Sequence, residues 1–433
     1  MPSKKVVKSV SITQVEQKAN ITYRQMINAS LTAMLREYEK NKGWQDGEKE
    51  APSQSLLYKR AEALLSFILP LEIKKSKDQL DIVEGNKWFL DEARVLMRLI
   101  EKDGFDPNPY TYLTKGQNLS FVDCAATVLE LCILIKKHLS FVNLKEDILA
   151  VEKTASRAFD FLSKASNNDV KGRVAWAANE IVKFKKQSLT NVYFTSYAVK
   201  ALVMLLTEKP WGFVPEKDKQ IYTLVEGGLK WLIDRCDEGP SLPYFDNQKT
   251  EATYFDFALM ITAMVKAYEY LPDNMKEKIL SVSVSFIEKL PEESDSPRFM
   301  YFLPAKSGSP VFYDNRLSEG IVVTALSQIR MLPTLKQDTE EMLLAKLALR
   351  TTKLLNSRGA GNNLWNEDLY LVSSTMWGIS GLLNLDVHGR TVVYNFNEME
   401  LYRIMRIALN DPRVVKAIIQ VAQEELIKKN TPQ

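Results

Sequence analysis

The sequence predicts an all-α fold arranged as a double ring, about six inner and six outer helices, with helical extensions at both ends. Three observations carry this. Apolar residues recur at three- and four-residue spacing along almost the whole chain, and β-like alternation is rare. A related segment returns: Phe121-Val-Asp-Cys-Ala, Phe194-Thr-Ser-Tyr-Ala and Tyr254-Phe-Asp-Phe-Ala align an aromatic, then Asp123, Ser196 or Asp256, then Ala125, Ala198 or Ala258. The helices opened this way are apolar on most sides and alternate with amphipathic ones. An all-round apolar helix must be enclosed by others, so the apolar set forms an inner ring inside an amphipathic outer ring.

Taken in order, residues 1–50 are expected to hold one helix, Ile21–Tyr38, and a polar linker that begins near Asn41. The ring domain is expected over 51–387, with helices at Leu56–Leu69, Trp88–Ile100, Asp123–Ile135, Val151–Leu162, Tyr197–Leu206 and Ile221–Ile233. It continues with Asp256–Tyr270, Met275–Leu290, Gly320–Met331, Thr339–Leu355 and Leu371–Leu383. Leu317-Ser-Glu-Gly-Ile and Leu371-Val-Ser-Ser-Thr extend the repeat less closely. Loops such as Asp103-Gly-Phe-Asp-Pro and Arg358-Gly-Ala-Gly combine a glycine for the left-handed turn with residues that stop a helix. Residues 388–433 are read as an extension with a short strand, Thr391–Phe396, and two helices, the second starting at Asp411-Pro412.

Composition bounds the function. With 57 Lys+Arg against 54 Asp+Glu, the net charge of +3 gives no dominant field for nucleic acid. Three cysteines and two histidines leave too few donors for a multi-ligand zinc or haem site, so neither metal nor cofactor is expected. The longest uncharged apolar stretch, Leu369 to Leu385, is short for a membrane span. The start lacks an apolar run of signal-peptide type, which makes the cytoplasm the expected address.

The outer helix, Gly-aromatic loop and inner helix opening with Asp or Ser resemble the α/α-toroid superfamily of terpenoid cyclases and protein prenyltransferase β subunits, over about residues 50–385. Asp368-Leu-Tyr-Leu resembles a late prenyltransferase segment in its Asp-x-Tyr opening. The chemistry this resemblance implies lacks its residues. Leu371 stands where the family's zinc-binding His would follow Tyr370, and Asp234-Arg-Cys236 falls on an outer helix. Neither an Asp-x-Asp-Asp acid nor an Asp-Asp-x-x-Asp magnesium motif occurs.

A shell without its family's catalytic residues suggests a non-catalytic binding or scaffold protein engaging a protein or peptide partner. The alternative is an enzyme on an isoprenoid or carbohydrate-like small molecule, with Asp123, Asp256 and Glu319 as cavity carboxylates able to move protons. The same acids also fit helix capping, worth about 1 kcal/mol each. Candidate binding residues are Tyr254, Tyr313, Asp314, Arg316, Trp365 and Tyr370, drawn from an aromatic-rich set of loops that also includes Tyr193. A third reading, nucleic-acid association, rests on the basic stretch Lys171, Arg173, Lys183, Lys185 and Lys186, for which a solvated helix face is the commoner reading.

Overall fold

The computed structural model describes residues 23–41, 44, 57–72, 87–105, 120–138, 145–178, 190–211, 215–237, 253–290, 299–301, 311–313, 317–333, 335–359, 363–365 and 371–394. The chain divides into two compact units, Met1–Asp386 and Val387–Gln433. Of the second, the described residues are 387–394, which are helical.

Twelve α-helices make up most of the described residues. Six are outer: α1 (Tyr23–Asn41), α3 (Lys87–Asp103), α5 (Lys145–Ala165), α7 (Pro215–Asp237), α9 (Asp273–Lys289) and α11 (Gln337–Ser357). Six are inner: α2 (Leu57–Ile68), α4 (Val122–His138), α6 (Val192–Glu208), α8 (Tyr254–Ala267), α10 (Leu317–Ile329) and α12 (Leu371–Tyr394). Outer and inner helices alternate strictly, so each successive pair is one hairpin of an α/α toroid.

Burial separates the two sets as their sequences require. In α4 every residue from Cys124 to Ile135 is buried, whereas α1 buries a stripe at Ile27, Leu31 and Met34. Neighbouring inner helices pack in chain order from α2 to α10. A Cβ on Gly320 of α10 would lie 2.3 Å from the Trp377 carbonyl oxygen of α12, so these two backbones touch. The ring closes where Lys59 of α2 donates to Ser373 Oγ of α12 at 2.7 Å. Helix α1 belongs to the outer ring. Its Ser30 hydroxyl donates to the Asn363 carbonyl after α11 (2.7 Å), and its Tyr38 hydroxyl bonds Glu92 of α3.

Two small hairpins interrupt the helices: β1 (Ser166–Asn168) with β2 (Val174–Trp176), and β3 (Phe299–Tyr301) with β4 (Val311–Tyr313). The first leads the chain from α5 to α6. Trp176 is fully buried, its indole N–H donating to the Leu162 carbonyl (2.7 Å) and its carbonyl accepting from Asn191 N–H (3.2 Å). The β-branched run Thr391–Val393 is not a strand but the end of α12, where continuation of a formed helix overrides local β preference. Among the described residues, no helix is long and apolar enough to cross a membrane.

Candidate functional site

Because every inner helix follows an outer one and runs the same way, the first turns of the inner helices gather at one end of the ring. Their N-terminal peptide dipoles point positive charge at this mouth. Asp123, Tyr193 and Phe255 are each the second residue of their helix, on α4, α6 and α8. The Tyr193 hydroxyl donates to Asp123 Oδ2 at 3.3 Å, and the Tyr193 and Phe255 rings stack with centroids 6.2 Å apart. Three successive inner helices thus contribute one continuous wall of acid, phenol and phenyl. All three residues are partly exposed.

Below this level the axis fills. Tyr197, one turn beneath Tyr193, has its ring centroid 4.9 Å from it and is buried. The buried Trp377 indole meets Phe255 edge-on at 5.7 Å. Lys200 Nζ lies 5.3 Å from that indole and pairs with Glu130 at 2.8 Å. On the closing side, buried Lys59 and Glu62 both engage the Ser373 hydroxyl.

The three acids singled out in the sequence have different surroundings. Burial pushes the Asp123 carboxyl up to about 6, against the lowering effect of the Cys124 N–H (2.9 Å), the Tyr193 hydroxyl and the Lys59 charge. It is therefore an acid that changes charge near neutrality, on a residue that keeps part of its surface exposed. Asp256 is also pushed up to about 6 by burial, yet it is fully enclosed. Its Oδ2 accepts from the Thr253 N–H (2.8 Å) and hydroxyl (2.6 Å), and its own N–H donates to Thr253 Oγ1 (3.1 Å). This is a reciprocal capping box, with Thr253 as the cap and Asp256 as its partner. Glu319 is buried and pairs with Arg350 of outer helix α11 at 2.8 Å, which turns it away from the axis; burial raises its pKa and Arg350 opposes this.

Of the expected binding residues, two are pins between helices. The Tyr254 hydroxyl donates to the Lys289 carbonyl at the end of α9 (2.8 Å). Trp365 is buried against Gly378, with its indole N–H on the Leu354 carbonyl (2.9 Å). Asp314, Arg316, Tyr370 and the side chain of Tyr313 lie outside the described residues, as do Lys183, Lys185 and Lys186. Lys171 and Arg173 sit at the tip of the β1–β2 hairpin. Arg173 is ion-paired there with Asp169 (2.6 Å) and Asp234 (3.2 Å), which neutralises the local cation. Asp234 is thereby engaged, and the Cys236 thiol turns back to the Leu232 carbonyl (3.6 Å). Among the described residues no group of three His, Cys, Asp or Glu is placed to hold a metal ion.

Phe255, Trp377, Lys59 and Lys200 were not singled out in the sequence. Phe255 and Trp377 read as ordinary core aromatics inside apolar helices. The lysines left a usable signal, since a lone cation within Ala-Val-Lys-Ala-Leu-Val must find a buried partner.

No protein-family model matches the sequence, and no curated protein matches it. Solved structures do match in fold. The GH76A alpha-1,6-mannanase of Salegentibacter sp. HEL1_6 is 12% identical, with a TM-score of 0.55 over 84% of this chain and 99% of that one. The unsaturated glucuronyl hydrolase of Bacillus sp. GL1 is 14% identical, with a TM-score of 0.56 over 84% of this chain and 97% of that one. The cellobiose 2-epimerase of Spirochaeta thermophila is 11% identical, with a TM-score of 0.57 over 88% of this chain and 99% of that one. At such identity these likenesses establish the α/α-toroid fold. They also correct two expectations. The likeness is to toroids of carbohydrate-processing enzymes rather than specifically to prenyltransferases. And the expected non-catalytic scaffold for a protein or peptide partner is not what these neighbours are: they are sugar-processing enzymes, one solved with alpha-1,6-mannotetrose.

Proposed function

We propose that this chain is a carbohydrate-processing enzyme whose active site is the mouth of the inner ring, with Asp123 as its proton donor. The observation that carries the reading is Asp123 itself: a carboxyl on a partly exposed residue, raised by burial to about 6, held by the hydroxyl of Tyr193 and set beside an aromatic wall. Breaking a glycosidic bond requires a proton on the leaving oxygen, and a carboxylic acid whose pKa is raised towards neutrality keeps a protonated fraction there to supply it. Tyr193 positions the acid. The faces of Tyr193 and Phe255 suit the apolar face of a sugar ring, leaving its hydroxyls for polar groups at the rim. The fold neighbours support this substrate class: a variant of the mannanase inactivated by replacing two aspartates was solved with alpha-1,6-mannotetrose, and an aspartate variant of the glucuronyl hydrolase with an oligosaccharide.

The test is turnover of a glycan panel containing alpha-1,6-mannotetraose, unsaturated glucuronyl oligosaccharides and cellobiose, followed by chromatography. At least one is expected to be converted, and Asp123→Asn is expected to slow that conversion about a hundredfold or more without loss of fold. Conversion at the wild-type rate by Asp123→Asn would remove Asp123 from the role, and a panel left untouched would remove the reading.

A further inference from the structure

Lys59 stands where elementary electrostatics opposes a lysine. It is the third residue of α2, where the free N–H groups of a helix start disfavour a cation, and it is only 5% exposed, so its ammonium needs partners. Those partners form one closed cluster. Nζ donates to Ser373 Oγ of α12 at 2.7 Å, the same hydroxyl donates to Glu62 one turn further along α2, and Nζ lies 3.6 Å from that carboxylate. Ser373 and Glu62 are buried as well. The hydroxyl bridges the two charges, and at 3.6 Å the direct pair is longer than a charge-assisted hydrogen bond.

The ammonium is thus anchored, and its field still reaches the mouth. Lys59 and Ser373 are each third in their inner helices, and Asp123 and Tyr193 each second, so the four share one level of the ring. The Lys59 charge is among the effects that hold the Asp123 carboxyl down against burial. Other charges on α4 and the elements packed against it are engaged elsewhere. Glu130 pairs with Lys200 of α6 about two turns along, while Lys136 pairs with Glu152 of α5 and Lys137 with Glu72 after α2, both near the far end. From α6, the group that meets Asp123 is the uncharged Tyr193 hydroxyl.

We infer that Lys59 is the counter-charge of Asp123, a positioning residue held in place by Ser373 and Glu62, which stabilises the carboxylate left when the proton departs. The inference deepens the carbohydrate reading and rests on it for where that proton goes. As Asp123 gives its proton to a leaving oxygen, a negative charge appears where burial has removed most of the water. A cation already fixed nearby stabilises it without any rearrangement at the moment of transfer. Ser373 matters because a lysine free to turn would close on Glu62 and be lost to Asp123.

The test uses Lys59→Met, Lys59→Arg and Ser373→Ala in the full chain, each checked for native helicity. The first readout is the titration of the Asp123 carboxyl by carbon-13 NMR, identified as the aspartate signal lost in Asp123→Asn. In Lys59→Met it is expected to move above its wild-type value of about 6, because losing a neighbouring cation favours the neutral acid. Lys59→Arg keeps the charge and is expected to stay nearer wild type. Ser373→Ala keeps every charge but lets Lys59 close on Glu62, so it is expected to move the titration upward too, and it decides the matter if Lys59→Met does not fold. An unmoved titration in folded Lys59→Met, or an equal shift in Lys59→Arg, would overturn the inference; so would an unmoved Ser373→Ala where Lys59→Met unfolds. The second readout is kcat/KM on any glycan the wild type converts, whose alkaline limb is expected to follow the titration to higher pH; a limb that stays put would remove Lys59 from the reaction. A glycan panel left untouched while the titration moves as stated would sink the carbohydrate reading and leave the pairing of Lys59 with Asp123 standing.

Discussion

Asp123 and Asp256 are the same residue type one position apart in helix register, and that single step separates their roles. Asp123, second in α4, sits where Tyr193 is second in α6 and Phe255 second in α8, so it faces the axis with them. Asp256, third in α8, turns back onto Thr253. The repeat in the sequence aligned Asp123 with Ser196 and Asp256, because the aromatics Phe121, Phe194 and Tyr254 were the strongest match. Helix starts at Val122, Val192 and Tyr254 show that this alignment slips by up to three residues. Acid candidates were therefore legible, but which of them reaches the mouth was not. A pH prediction follows. Burial raises the Asp123 pKa from 3.8 to about 6, so the native state holds a proton that the unfolded chain has already released. Its stabilising effect is complete below about pH 4 and is lost as pH rises through 6. Denaturant midpoints between pH 4 and 7 should therefore fall less steeply with rising pH in Asp123→Asn than in wild type. An unchanged slope would mean that the carboxyl titrates normally.

At the scale of elements, twelve periodic helices were readable because each buries an apolar stripe or an apolar surface that sequence spacing exposes directly. Their ends were less so. Asn191 caps α6 by accepting from the Phe194 N–H (2.9 Å), several residues before the predicted start at Tyr197, because the aromatic-rich first turn shows little period. The hairpin β1–β2 also escaped, since three-residue strands carry too few positions to alternate. The helix pair α10–α12 makes a firm prediction. Gly320 permits backbone contact that no Cβ can enter, with Trp377 O at 2.3 Å and Gly378 N at 2.8 Å. Gly320→Ala must push the two helices apart and should cost about 1–3 kcal/mol as an overpacking change. A melting curve that matches wild type would contradict the packing described.

For the whole molecule, the double ring was legible from the alternation of apolar and amphipathic helices, while its chemistry was not. Toroids share a shell and differ in the side chains that a few helix starts deliver to the axis, so the shell alone cannot name a substrate. Here those side chains come from helices far apart in sequence: Lys59 with Ser373 across the closure, Asp123 with Tyr193, and Phe255 with Trp377. Only packing among the inner helices brings them together, and no local motif announces them. The central claim is that this axial assembly processes glycans through Asp123 and not through its buried counterpart Asp256. The most direct measurement is the rate of conversion of the best glycan of the panel by wild type, Asp123→Asn and Asp256→Asn, each checked for native helicity. A loss of about a hundredfold or more in Asp123→Asn alone, with Asp256→Asn within a few-fold of wild type, is predicted. Equal losses in both variants, or full activity in Asp123→Asn, would contradict the account.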